Sequence, residues 1–188
     1  TIDDDRVLQA KGFPYTLMDL LGDLALVERY RHGTYVTLRL TSTMYHRFHA
    51  PYSGIVKKVN YISGDTWNVN PIALKRVEKL FCKNERAVIE MEISPSGDLI
   101  TLVPVAAVLV ASIRLHFLDV LLHLTYRGPN TIQCNAAFEK GQEMGWFEHG
   151  STIIVFAPSG YELCPHIKQG LRIKMGEALV ALPAVHQS

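Results

Sequence analysis

Lys140-Gly-Gln-Glu-Met-Gly-Trp-Phe-Glu-His-Gly-Ser-Thr-Ile-Ile-Val-Phe156 sets a glycine, a serine and a threonine (Gly150, Ser151, Thr152) directly before the apolar run Ile153–Phe156. The run is short and preceded by turn residues, which predicts a buried strand. Gly150 can adopt a strained turn that a side chain would forbid. A hydroxyl at the foot of such a turn can be pressed against the preceding carbonyl. It can then attack its own chain if a base takes its proton. The same residues also suit a plain tight turn into a strand, and Gly-Ser-Thr by itself does not separate the two.

The chain has 188 residues, the size of one domain, here taken as 1–188. Hydrophobic residues make up 48% and charged residues 20%, as in an ordinary soluble globular protein. A net charge of +1 gives no field toward nucleic acid, so no nucleic-acid partner is expected. Cys82, Cys134 and Cys164 are scattered and form no metal-spaced pair, which favours structural thiols in a reducing compartment. Asp3-Asp4-Asp5 is the opposite of a basic leader. The most apolar stretch, Leu99 to Ile113, is short for a membrane span and contains Pro104. It predicts two buried strands meeting at a bend, so membrane contact is expected to be peripheral or to come from a segment outside this chain.

Thr16 and Asp19 form a weak relative of a capping box, followed by Leu17, Leu20, Leu21, Leu24 and Val27 at helical spacing. This predicts a short amphipathic helix weakened at Gly22. Gly33 to Leu40 alternates, predicting a strand with one wet face. Further strands are predicted over Ile55–Val59, Ala87–Ile93, Leu99–Val110, Ile113–Phe117, Ser151–Ala157 and Leu171–Leu182; Leu118 to Asn135 resists assignment. Lys75, Arg76 and Lys79 form a small basic group, read as a solvated face with lipid contact as the minority alternative. Repeated short strands with turn punctuation argue for a mainly β (α+β) fold. A compact multi-stranded sheet domain is expected, with few short helices and barrel-sandwich or lipoyl-like elements. His46 and His49 could share one face of a helical turn or lie on opposite sides of an extended segment. No second metal-spaced pair accompanies them, so no metal site is expected.

Tyr45-His-Arg-Phe-His-Ala-Pro51, Gly64-Asp65 with Asn68-Val-Asn70, Leu80-Phe-Cys-Lys-Asn-Glu-Arg86, and Lys140-Gly-Gln-Glu-Met-Gly145 leading into Gly150-Ser-Thr152 occur in that order. Together they resemble the phosphatidylserine decarboxylases of the bacterial and mitochondrial type, over nearly the whole chain. The resemblance implies a proenzyme that cuts itself at Gly150–Ser151 into a large chain 1–150 and a small chain 151–188. Ser151 would become the covalent pyruvoyl cofactor at the new N-terminus. His49 matches the histidine of a serine-protease-like triad and His46 the histidine used in decarboxylation. The implied reaction converts phosphatidylserine to phosphatidylethanolamine. The enzyme would be peripheral on the cytoplasmic face of the cell membrane, or on the mitochondrial inner membrane; a homodimer stays open.

Two departures stand out. His149 replaces the leucine usual before Gly-Ser, and no Asp-Gly precedes His49 to supply the triad's acid. The chain is therefore expected to be N-terminally truncated and slow to mature, since a misoriented triad histidine can cost about 10⁴ in rate. Alternatives are a soluble pyruvoyl-dependent amino-acid decarboxylase and a biotinyl- or lipoyl-like carrier modified at Lys174. A Ser–His hydrolase fits less well, because Gly-Ser-Thr lacks the second glycine of a nucleophile elbow.

Overall fold

The computed structural model describes residues 2, 5–8, 14–40, 45–107, 112–119, 121–123, 126–147 and 151–184. In chain order the elements are β1 (Arg6–Leu8), β2 (Pro14–Thr16), α1 (Leu17–Leu21), α2 (Leu24–Tyr30), β3 (Thr34–Leu40), β4 (Arg47–His49) and β5 (Gly54–Ile62). There follow α3 (Pro71–Arg76), α4 (Leu80–Lys83), β6 (Arg86–Ile93), β7 (Leu99–Val105), β8 (Ser112–Leu115) and β9 (Leu121–His123). The last are β10 (Thr131–Phe138), β11 (Glu143–Phe147), β12 (Ser151–Ala157), β13 (Glu162–Leu163) and β14 (Val180–Ala181). The mainly β expectation holds.

Six strands form one antiparallel sheet in the order β10-β5-β6-β7-β12-β3, and four form a second in the order β4-β11-β8-β9. One core lies between the sheets: Phe48, Ile113, Leu115, Met144 and Phe147 from the smaller sheet meet Ile89, Met91, Leu102 and Ile153 from the larger. The other face of the six-stranded sheet presents Val88, Val103, Ile154 and Phe156 to Leu17, Leu20, Leu26, Tyr30, Leu74 and Phe81 of the helices. The central strand β12 is thus buried on both sides, and Ile153 to Phe156 must be apolar without alternation. Its predicted limits, Ser151–Ala157, coincide with those observed.

Gly145 lets β11 pass between its neighbours. A Cβ there would sit 2.1 Å from the Arg114 carbonyl oxygen and 2.8 Å from the Phe48 ring. Pro104 sits within β7 opposite Ile153, and the β6–β7 register carries no pair between Ile89↔Leu102 and Arg86↔Val105. A residue without an N–H interrupts the ladder there.

Three expectations are corrected. The predicted helix is two helices: Gly22 takes φ 67° and ends α1, and Asp23 caps α2 through the Ala25 N–H. The wet face of β3 is confined to its end: Arg39 is exposed, but Tyr35 packs on the helix-side core, while Leu38 and Leu40 pack on the inner one. Leu171–Leu182 is mostly irregular, with only Val180–Ala181 paired to Glu162–Leu163. Its Leu171 and Met175 are exposed, so no buried face organises it. Residues 108–110, inside the predicted strand Leu99–Val110, lie outside the described residues.

Candidate active site

Ser151 opens β12 opposite Leu40 of β3. Its neighbour two residues on, Ile153, belongs to the inner core, so by alternation the Ser151 side chain faces between the sheets. The residue is fully buried, and Oγ has no hydrogen-bond partner among the described residues. An unpartnered buried hydroxyl is uncommon and calls for a reason. Gly150, the other half of the expected scissile bond, lies outside the described residues, as does His149.

The two histidines sit at β4, extended rather than helical. Phe48 points into the inner core, so Arg47 and His49 take the opposite face. There His49 stacks on Tyr45, with centroids 5.6 Å apart, and its Nε2 lies 3.1 Å from the Tyr45 hydroxyl. His49 Nδ1 is buried without a partner among the described residues. Burial lowers the His49 pKa, with Glu143 pulling it up and Arg47 pushing it down. Glu143 is the cross-strand partner of His49, yet its carboxylate binds His116 Nε2 at 2.6 Å and Arg47 at 2.5 Å. Those two partners, His116 first, hold its pKa down. His46 falls on Phe48's side, and its Nε2 is likewise buried and unpartnered among the described residues.

No hydrogen bond joins Ser151 to either histidine among the described residues. They are nonetheless tethered. The Phe147 N–H donates to the His46 carbonyl at 2.9 Å, and Ser151 follows Phe147 by four residues. Four residues span at most about 14 Å. That reach bounds how far Ser151 can lie from the β11 end that pairs with His46.

The segment after Leu80 carries a polar cluster whose division of roles the sequence did not reveal. Asn84 donates to the carbonyls of Trp67 and Ala106 and accepts from the Trp67 N–H. Arg86 donates to the carbonyls of Asp19, Leu20, Cys82 and Asn84. Glu85 lies between them, fully buried and turned to the opposite face from Arg86. The sequence signals were three polar residues directly before an apolar strand and their place in the Leu80–Arg86 motif, neither of which separates their roles. Lys174, the attachment point of the carrier alternative, is exposed in an irregular stretch outside any strand. Lys79 of the basic group pairs with Asp19 at 2.7 Å.

The family model described as phosphatidylserine decarboxylase matches residues 1–181. The chain belongs to the phosphatidylserine decarboxylase family. The phosphatidylserine decarboxylase proenzyme of Haemophilus influenzae Rd is 36% identical over 188 residues, covering 95% of this chain and 63% of the relative. That of Anaeromyxobacter sp. strain K is 37% identical over 183 residues, covering 95% and 64%. That of Dickeya dadantii is 36% identical over 186 residues, covering 95% and 60%. The chain thus spans somewhat under two thirds of the length of these family members. Among the described residues, no helix is long and apolar enough to cross a membrane.

Proposed function

We propose that residues 1–188 are the catalytic domain of a phosphatidylserine decarboxylase that, in the complete protein, cuts itself between Gly150 and Ser151. The observation that carries this reading is the buried Ser151 hydroxyl, without a partner among the described residues, at the head of the central strand in a chain matched by the family over residues 1–181. Ser151 Oγ attacks the Gly150 carbonyl; the family resemblance gives the hydroxyl proton to His49, which must first swing toward Ser151 from the outer face of β4, where it stacks on Tyr45. The amide bond becomes an ester, and the freed amine is protonated. Elimination of the Gly150 carboxylate and hydrolysis of the remainder release ammonia and leave residues 1–150 and 151–188 as separate chains. Glu143, the carboxylate opposite His49, is committed to Arg47 and His116 and is not assigned as the triad's acid.

Ser151 is also the residue that fits a pyruvoyl group, because its side chain is fully buried and has no competing partner among the described residues. That group supplies an electrophilic carbonyl, which draws electrons from the bond between the substrate's Cα and its carboxylate. His46, whose Nε2 is buried without a partner among the described residues, is the group that would hand a proton to the substrate carbon. Phosphatidylserine would enter from a membrane to which the protein is peripherally bound, on the cytoplasmic face.

The test uses the full-length proenzyme. Ser151→Ala and His49→Ala should each remain one chain on a denaturing gel. His46→Ala should be cut and gain a carbonyl reducible by borohydride, seen by intact mass, yet release no carbon dioxide from phosphatidylserine vesicles. A Ser151→Ala protein that still matures into two chains would end this reading.

A further inference from the structure

Glu85 shares a row of the six-stranded sheet with Ser151. The pairs Arg86↔Val105 and Thr152↔Val105 place Glu85, Ala106 and Ser151 side by side in the next row. The Ala106 N–H donates to the Glu85 carbonyl at 2.8 Å, which anchors that row. Ala106, Ala87 and Ile153 all belong to the inner core, so the side chains of Glu85 and Ser151 project into the same interior. Paired antiparallel residues sit about 5 Å apart, so roughly 10 Å separates the two Cα atoms. Only the Ala106 methyl stands in the row between them. That gap is too wide for a direct hydrogen bond and suits a small polar head group lying across the alanine.

Among the described residues, the Tyr61 phenol is the side chain set against the Glu85 carboxyl. Arg86, its neighbour in sequence, is spent on four carbonyls on the far side of the sheet. Tyr61 lies beside the carboxyl, yet neither carboxyl oxygen completes a well-formed hydrogen bond among the described residues. His46 is the titratable group that the facing sheet directs into the same core. Burial raises the Glu85 pKa from 4.5 to about 7, against the pull of the Tyr61 phenol. A carboxyl that keeps its proton is a hydrogen-bond donor, and one able to face an anion without repelling it.

We propose that Glu85 is a substrate-binding residue: in its neutral form its carboxyl donates a hydrogen bond, across Ala106, to an anionic oxygen of the head group held at residue 151. This rests on the pyruvoyl reading of Ser151. The anionic oxygen belongs either to the head group's carboxylate or to its phosphodiester.

The experiment takes full-length mature protein whose carbonyl has been reduced by borohydride, so that it binds without turnover. Calorimetry then measures its affinity for glycerophospho-L-serine between pH 6 and pH 8. Wild type should bind about tenfold more weakly at pH 8 than at pH 6, the ratio of neutral carboxyl at the two values for a group titrating near 7. Glu85→Gln keeps a donor and cannot ionise, so its affinity should change less than twofold over that range. Glu85→Asp should bind more weakly throughout and keep the pH slope. Glycerophosphoethanolamine, which lacks the carboxylate, should lose the slope if the carboxylate is the partner and keep it if the phosphodiester is. A flat wild-type curve, or a Glu85→Gln curve that follows wild type, overturns the proposal. Absence of cleavage and of a reducible carbonyl fails the pyruvoyl reading instead, and is seen by mass before any binding is measured.

Discussion

The two faces of the six-stranded sheet treat buried polar groups differently. On the helix-covered face, Arg86 donates to the carbonyls of Asp19, Leu20, Cys82 and Asn84. The Tyr30 hydroxyl is 2.8 Å from the Thr101 hydroxyl and 2.9 Å from the Leu99 carbonyl there. On the inner face, Ser151 Oγ, the Glu85 carboxyl and His46 Nε2 lack well-formed partners among the described residues. Thr152, Tyr15, Thr37 and Ser112 carry hydroxyls unpartnered among the described residues too, but none of them brings a carboxyl or imidazole to the sandwich interior. Satisfied polar networks hold elements in place, whereas unsatisfied ones are costly and persist where something else needs them. The contrast separates a scaffold face from a working face within one sheet.

The strongest way to break that contrast is Arg86→Leu. If the arginine is scaffold, several buried carbonyls lose a charged donor at about 1–3 kcal/mol each, partly offset by relaxation. A loss on the order of 3–5 kcal/mol is expected, read from the urea midpoint of the uncut Ser151→Ala protein. A loss below 1 kcal/mol would remove the scaffold reading of that face.

How much of this was legible beforehand follows from what sequence patterns can encode. The limits of β12 were readable because a strand buried on both faces leaves an uninterrupted apolar run. The α1 capping box was readable because Thr16 and Asp19 act over three residues: Thr16 Oγ1 accepts from the Asp19 N–H at 3.0 Å, and Asp19 accepts from the Thr16 N–H at 3.1 Å. Ser151, His46 and His49 came from motif order. Glu85 could not be singled out, since its kinship with Ser151 depends on the β6–β7–β12 register, which joins residues far apart in the chain. The tail misled because Leu171 and Met175 are strand-like in composition yet exposed, and only its end, with Val180 and Leu182, packs on the inner core.

The next effect is smaller and depends on pH. A carboxyl held at about 7 in the folded protein and near 4.5 when unfolded keeps its proton longer in the fold. Its stability contribution is complete below about 4.5 and is lost as pH rises to about 7, because over that window the unfolded chain alone releases the proton. The full loss is on the order of 3 kcal/mol. The uncut Ser151→Ala protein should therefore gain stability at pH 8 from an added Glu85→Gln, with little change at pH 4. An equal effect at both values would mean that Glu85 is not strained by burial, and the working face would lose its distinguishing member.

The smallest effect sharpens the scaffold side. Thr16→Ala removes the α1 cap and should cost about 1 kcal/mol. The helix it starts is the one whose Asp19 and Leu20 carbonyls Arg86 binds at the other end. Cap and clamp therefore act on five residues, too few for one end to loosen without the other. In a double-mutant cycle the two losses should fall short of additive by at least 0.5 kcal/mol, since a helix already released by Arg86→Leu has little left for the cap to hold. Strict additivity in the urea midpoints would mean that Arg86 serves α4 through Cys82 rather than α1, and the scaffold would need redrawing around that helix.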